Sequence, residues 1–471
     1  MIKKILSSYY LSLILFILAF FLRYKNFDNL GYWSDEHYTF WLSEPNFNFD
    51  KIFDKVKKVK EFAPPIYYYF LNKFSYYFKY SADSLRLIHI FFGSMNVLIA
   101  FIISRFFLSK AASNLLLFLL GTNVFLIWSS NEVRIVSFAL FFQLITILFF
   151  IKFLKKINKI KVWDLFFLIF FNLICLSVHP LSFIIISSQI ILLLLIFLKK
   201  KNLLYLRYIN AAIISFILYL IFNKEYILYS ISNTSIPHNS LTLGFLIGYN
   251  FKSYFSSYIL AIINILLIFF SFLKIKKNFN NLKIFYLWII FITTYIFIII
   301  GTLLFTGINS PRYWSYLIPI IILINIYYLM LLKVKFFFKQ IIIITLIFST
   351  VTTYITNINK PQIRKPDTPG LIKTINEFNV NYLFINSSDT LINNYISNGY
   401  KILNKNIILN NIKNINNNFW YLCIDHYSHQ EKGSYWNDCY DCSPQYEFIK
   451  NHKKTKTIRI NGYMLSKFEL L

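Results

Sequence analysis

The sequence predicts an α-helical polytopic membrane protein that ends in a small exported α/β domain. Three observations lead there. Hydrophobic residues make up 57% of the 471 and charged residues only 14%, where soluble domains carry roughly 25%. Eleven apolar runs approach the roughly 20 residues needed to cross a hydrocarbon core. Lys and Arg gather in alternate short connections between those runs, the asymmetry of the positive-inside rule. The net charge of +28 is therefore a record of topology and gives no reason to expect a nucleic-acid surface. With 11 glycines in the whole chain and no glycine-rich phosphate loop, nothing marks a nucleotide site.

The N-terminal stretch MIKKILSSYYLSLILFILAFFLR has the basic start and apolar run of a signal peptide. It lacks a small-residue cleavage site, so it reads as a retained signal-anchor helix. The expected spans are Ile5–Leu22, Leu85–Phe107, Ala112–Trp128, Ile135–Leu154, Trp163–Val178, Leu181–Leu198, Tyr208–Phe222, Tyr254–Leu273, Ile284–Phe305, Tyr313–Leu332 and Gln340–Ile355. With Lys3 and Lys4 in the cytoplasm, the turns at Arg105/Lys110, Lys152–Lys161, Lys199–Arg207, Lys274–Lys283 and Lys333–Lys339 all fall on that side. The opposite short loops hold little beyond Arg134, Lys224, Lys252 and Arg312. The expected protein sits in the inner (plasma) membrane with a cytoplasmic N-terminus.

Residues 1–356 then form the membrane domain, with an extracytoplasmic loop over residues 23–84. That loop closes with EFAPPIYYYFLNKFSYYFKY, too polar to span and suited to a helix lying in the interface. Residues 357–471 form the exported domain. Pro361, Pro366 and Pro369 mark a linker, after which short apolar runs such as FWYLCI alternate with helix-like stretches.

Acids are scarce enough to count. Eleven precede the tail, and seven of them lie between Asp28 and Glu61. Asp35 and Glu36 sit together in GYWSDEHYTFW, directly after the first span. Ser34 can cap a helix there, with the acids in its first turn. Successive helical side chains diverge by about 100°, so the two acids are expected to have separate partners. Asp164 reads as a helix-start residue and Glu225 as a solvated partner of Lys224. Glu132 lies in the short outward turn SSNEVR, two residues before Arg134. It is either a functional acid at the membrane face or half of a Glu132–Arg134 ion pair closing the turn.

These residues carry a resemblance. An Asp-Glu pair follows the first span, and then come Pro64-Pro65-Ile66-Tyr67, Leu85-Arg86-Leu87 entering the second span, Glu132-x-Arg134 in an outward turn, and Pro311-Arg312-Tyr313 with Pro319 in a late span. In order and placement over residues 1–332 this is similar to the GT-C glycosyltransferases. The nearest branch is that of protein O-mannosyltransferases, lipid A aminoarabinose transferases and related enzymes of the bacterial envelope and its lipopolysaccharide.

The resemblance implies an inverting transferase that takes a hexosyl or pentosyl group from a polyprenyl-phosphate sugar at the outer leaflet. The acceptor would be a hydroxyl of an envelope glycan, lipid or protein. Asp35 would be the general base, made more effective by aromatic neighbours that strip its water. Glu36 would hold the acceptor or orient its neighbours. Arg312 and Arg134 would meet the charge growing on the leaving phosphate, although Arg312 could equally anchor its helix at the interface. Glu132, His179, Tyr313, Arg86 and Tyr67 complete the expected substrate-binding set. For His179 a structural place at a span end competes, and for Arg86 an ion pair with Asp83. His37 could be a second proton carrier. No cofactor is implied beyond the lipid-linked donor, with a divalent metal left open.

Cys175 reads as inert packing in a span. In the tail, Cys423, Cys439 and Cys442 lie near His426 and His429. That set suits either a disulfide, favoured in an exported domain, or a zinc site. Two other functions compete with the transferase. One is an oligosaccharide ligase or polymerase. The other is a transporter or flippase, disfavoured because the spans are nearly free of charge and show no repeat.

Overall fold

The computed structural model describes residues 9–25, 34–58, 61, 63–155, 161–232, 243–273, 281–304, 310–332, 336–358, 368–378, 383–386, 418–424, 452–460 and 463–470. Among these residues six helices are long and apolar enough to cross a membrane, and eight segments qualify if each of two bent helix pairs is one span. Three shorter apolar helices stand at the remaining expected positions, so every expected span coincides with an apolar helix or a bent pair. The protein is a multi-pass, α-helical membrane protein.

The membrane bundle runs through α1 (Tyr9–Tyr24), α5 (Ala82–Ser104), α6 (Lys110–Gly121), α7 (Val124–Asn131), α8 (Ile135–Lys155), α9 (Val162–Val178), α10 (Phe183–Lys200) and α11 (Leu204–Phe222), and continues through α14 (Tyr258–Leu273), α15 (Leu282–Leu304), α16 (Leu317–Leu331) and α17 (Phe336–Asn357). Between them lie α2 (Ser34–Leu42), α3 (Phe49–Lys58), α4 (Pro65–Tyr77), α12 (Lys224–Ser232) and α13 (Leu243–Phe255). Helix α1 packs against α5 and α6, α5 against α8, and α14 against α16. Helix α16 is apolar apart from Asn325, which donates to Asn264 Oδ1 at 2.8 Å, and is buried along nearly its full length, which identifies it as a core helix.

Two expected spans are broken. The third bends by 55° between α6 and α7, and the eighth turns by 116° between α13 and α14. A break frees backbone groups that lipid cannot satisfy, and side chains take them over. Asn123 accepts from the Leu126 amide at 2.9 Å as the cap of α7 and donates to the Tyr254 carbonyl at 2.9 Å, beside the second break. Asn357 donates to the carbonyl of Ser256 at 2.6 Å, and Ser256 has a positive φ of 52°. Fully buried Arg23 donates to the carbonyls of Ala19 and Gly121 at 2.8 and 3.1 Å, and from Nε to Ser130 Oγ at 3.1 Å. A cation at the C-terminus of α6 also complements the helix dipole.

Two glycines permit this knot. A Cβ at Gly93 would fall 2.1 Å from Ser130 Oγ, and one at Gly121 would fall 3.0 Å from Ala19 Cβ. Helix α1 runs past the expected span end at Leu22 to Tyr24 and so includes the charge of Arg23. That charge is tolerated because backbone carbonyls surround it.

A second hydrophobic core sits at one end of the bundle, where Leu85, Ile88, Phe92, Ile135, Phe138 and Val178 contribute to it. It joins Phe40, Leu42, Ile52, Val56, Tyr67, Tyr68 and Leu71 to Leu371, Ile375, Trp420, Leu422 and Leu465. The first group belongs to α2, α3 and α4. The second belongs to α18 (Thr368–Glu377) and to a sheet of β1 (Leu383–Asn386), β2 (Phe419–Ile424), β3 (His452–Ile460) and β4 (Tyr463–Leu470), ordered β1-β2-β4-β3. Strands β1 and β2 are parallel, while β4 runs antiparallel to both of its neighbours. The amphipathic helix α3 buries Ile52, Phe53 and Val56, and Lys55 lies over the rings of Trp41 and Phe47. Helix α4 starts at Pro65 and leaves Tyr76, Tyr77 and Phe78 exposed at its far end. A missing amide costs nothing at that first helical position.

Candidate active site around the 132–134 turn

Helix α7 ends at Asn131 and α8 starts at Ile135, leaving Glu132, Val133 and Arg134 as the connection. Each of the three grips a different segment. Glu132 Oε1 lies 3.7 Å from Arg312 Nη2, on the short 3₁₀ turn Pro311–Trp314. The Val133 amide donates to Glu36 Oε1 at 2.7 Å. Arg134 donates to both carboxylate oxygens of Glu61, at 3.0 and 3.1 Å, and more distantly to Thr39 Oγ1 at 3.5 Å. In place of a local Glu132–Arg134 ion pair, Glu132 pairs with Arg312 and Arg134 with Glu61. Glu132 and Arg134 flank Val133 in a strongly curved turn, and each has a longer-range partner.

Helix α2 begins at Ser34, as the helix-start reading of these acids expects, so Asp35 is its second residue. The side chain of Asp35 lies outside the described residues. Glu36 is buried, with its carboxylate on the Val133 amide. That contact ties the start of α2 to the turn. Thr39, one helical turn on, is also buried and meets Arg134. His37 is buried beside Glu36.

Tyr67 occupies the floor of this region. Its hydroxyl is 2.7 Å from His89 Nε2, and His89 Nδ1 is 2.6 Å from the Leu85 carbonyl. A carbonyl only accepts, so Nδ1 carries the proton and Nε2 accepts from the phenol. Burial pushes the Tyr67 phenol well above its usual range; Arg134 nearby opposes that, while Glu61 and Glu36 reinforce it. The phenol is neutral and acts as a hydrogen-bonding group. Arg86, one helical turn before His89, is buried, and among the described residues no ion pair joins it to Asp83.

On the other side of the turn, the His179 and Tyr313 rings lie with centroids 6.0 Å apart. His179 caps the C-terminus of α9 and is buried. Burial lowers its imidazole to about 4, so it is neutral at physiological pH. Arg312 has a half-exposed side chain next to Tyr313. The structure therefore brings Glu36, Tyr67, Glu132, Arg134, Arg312, Tyr313 and His179 to the surroundings of one turn. The sequence reading missed Glu61, Thr39 and His89. Of these only Glu61 left a signal, as the last of the seven clustered acids and just before Pro64-Pro65. Among the cysteines, Cys175 is buried and free as expected. The side chain of Cys423, with Cys439, Cys442, His426 and His429, lies outside the described residues.

No protein-family model matches the sequence, and no curated protein matches it significantly. Solved structures do match in fold. The apo structure of ArnT from Cupriavidus metallidurans superposes with a TM-score of 0.57 at 8% identity, covering 97% of both chains. The ArnT structure bound to undecaprenyl phosphate gives 0.56, again at 8% identity and 97% coverage of each. The apo oligosaccharyltransferase from Archaeoglobus fulgidus gives 0.50 at 12% identity, over 85% of this chain and 64% of that one. The chain is a multi-pass membrane protein that shares the fold of these structures.

Proposed function

We propose that this protein is an inverting glycosyltransferase that moves a sugar from a polyprenyl phosphate to an acceptor hydroxyl on the outer face of the membrane. One observation above all supports the reading. On a fold shared with a structure that holds undecaprenyl phosphate, the helix bearing Asp35 and Glu36 is fastened to an arginine-flanked turn.

In this reading Asp35 accepts the proton of the acceptor hydroxyl while the oxygen attacks the anomeric carbon. The bond from that carbon to the phosphate oxygen breaks on the opposite face, and polyprenyl phosphate leaves. Glu36 is a positioning residue, its carboxylate committed to the Val133 amide. The two arginines divide their tasks. Arg134 is gripped in two-pronged fashion by Glu61 and stiffens the site, whereas Arg312, half exposed, takes the leaving phosphate. Neutral His179 and Tyr313 offer hydrogen bonds beside it. Residues 357–471 would be the exported domain, whose described helix α18 and strands share a core with α2, α3 and α4, and the acceptor is an envelope glycan, lipid or protein.

The test uses purified protein in lipid nanodiscs with a panel of polyprenyl-phosphate sugars. Asp35→Asn should abolish transfer while donor binding persists. A fully active Asp35→Asn enzyme would remove Asp35 from the base role.

A further inference from the structure

The end of the bundle opposite the 132–134 turn carries a groove that the transfer reaction does not use. Helix α8 runs from Ile135, beside the turn, to Lys155. Its 21 residues put the two ends about 30 Å apart. The groove lies where the end of α8 meets the start of α9 and the residues just past α5, and it measures 470 Å³. Its apolar wall includes Phe106, Phe149 and Phe167, and its polar groups are Lys152, Lys155 and Asp164.

Lys152 and Lys155 are three residues apart and share one face of α8. Both are exposed, and among the described residues neither forms an ion pair. Lys152 Nζ sits 5.5 Å from the Phe149 ring centroid. Lys283 adds a third cation, 5.8 Å from the centroid of Phe106. The carboxylate of Asp164 is partly committed, because its Oδ2 accepts from the Lys161 amide at 2.9 Å. Next to it Trp163 is exposed at the start of α9, and a tryptophan there marks the boundary between lipid and water. The lysines therefore stand at headgroup depth. Phe149 and Phe167 lie one turn deeper on the same two helices, level with glycerol and the first acyl carbons.

An apolar groove alone would accept any acyl chain, and the cations choose the headgroup. We propose that this groove binds one anionic phospholipid of the leaflet on this side, its phosphodiester on Lys152 and Lys155 and its upper acyl carbons against Phe149 and Phe167. Each lysine donates hydrogen bonds to a phosphate oxygen and adds attraction for an anionic lipid. Asp164 limits the negative charge that the groove takes. Singly charged phosphatidylglycerol suits it better than the more highly charged phosphatidic acid.

The test is native mass spectrometry of the full-length protein, titrated in detergent with phosphatidylglycerol, phosphatidylcholine or phosphatidic acid to give the Kd of the first lipid bound. Wild type should hold phosphatidylglycerol at least about tenfold more tightly than phosphatidylcholine. A lysine at the surface is worth about a factor of five toward anionic lipid, so Lys152→Ala/Lys155→Ala should weaken phosphatidylglycerol about thirtyfold. Lys152→Arg/Lys155→Arg keeps the charge and should stay within about threefold of wild type. Lys199→Ala/Lys200→Ala removes the same charge from the last turn of α10, at the same end but outside the groove, and should change Kd less than about twofold. Asp164→Asn should tighten phosphatidic acid more than phosphatidylglycerol. The arginine pair and the α10 pair separate lost binding from a lost fold.

Equal weakening by the two alanine pairs would assign the attraction to the basic end as a whole and overturn the groove. Equal wild-type Kd values for phosphatidylglycerol and phosphatidylcholine would overturn it too. Displacement of the lipid by glycerol 3-phosphate at comparable concentration would make the ligand a soluble phosphate and sink the lipid assignment. Equal tightening of both acidic lipids by Asp164→Asn would remove the role given to that carboxylate.

Discussion

Glu61 is the residue whose removal tests the architecture of the site most directly. Glu61→Gln keeps the shape of the side chain and one carbonyl acceptor but removes the carboxylate charge that the Arg134 guanidinium grips. Breaking a buried ion pair by removing one partner costs about 3–5 kcal/mol. The two side chains retain 18% and 10% exposure, so water screens part of the loss. The glutamine also preserves one of the two hydrogen bonds found at 3.0 and 3.1 Å. About 2 kcal/mol is the expected destabilisation. Arg134→Met, which removes the cation instead, should cost a similar amount. The double variant should cost clearly less than the two added together, giving a coupling energy of about 1–2 kcal/mol. The assay is reversible unfolding in mixed micelles of rising SDS fraction, followed by tryptophan fluorescence. Additive single-variant effects, with coupling under about 0.5 kcal/mol, would refute the claim that this pair locks the loop before α4 onto the turn.

Two other changes probe neighbouring features. Gly93→Ala places a methyl 2.1 Å from Ser130 Oγ, and overpacking of this kind should lower stability by about 1–3 kcal/mol, read as a fall in melting temperature. His179 is neutral in the folded protein, its imidazole lowered to about 4 from 6.5 by burial. Between those values the unfolded chain binds the extra proton, so stability falls as pH drops from about 6.5 toward 4, by up to about 3 kcal/mol. His179→Gln should flatten the melting-temperature profile across that window, and an unchanged slope would show that other groups set it.

Much of the fold was legible in the chain because lipid imposes a strong and local rule. A stretch such as Ile135–Leu154 must be apolar along its length, and its lysines must collect at one end, so span and direction can be read without knowing any neighbour. The same rule could not show that the third and eighth spans are broken. Those breaks exist because Asn123, Asn357 and Arg23 reach across to carbonyls as far as 131 positions away, and hydropathy carries no trace of such partners. Even the glycines gave little warning, since Gly93 matters only because Ser130 faces it.

At the site the division is similar. Composition singled out Asp35–Glu36 and Glu132-x-Arg134, because charge is rare in this chain and costly near a bilayer. Partner choice could not follow from that. Glu132 and Arg134 are close enough in sequence to pair with each other, yet the turn directs one toward Arg312 and the other toward Glu61. The sequence by itself determined a multi-pass membrane protein with acids gathered at one face. Only the tertiary structure decided which acid holds which base, because an ion pair depends on side-chain direction and burial, and both are set by residues distant in the chain.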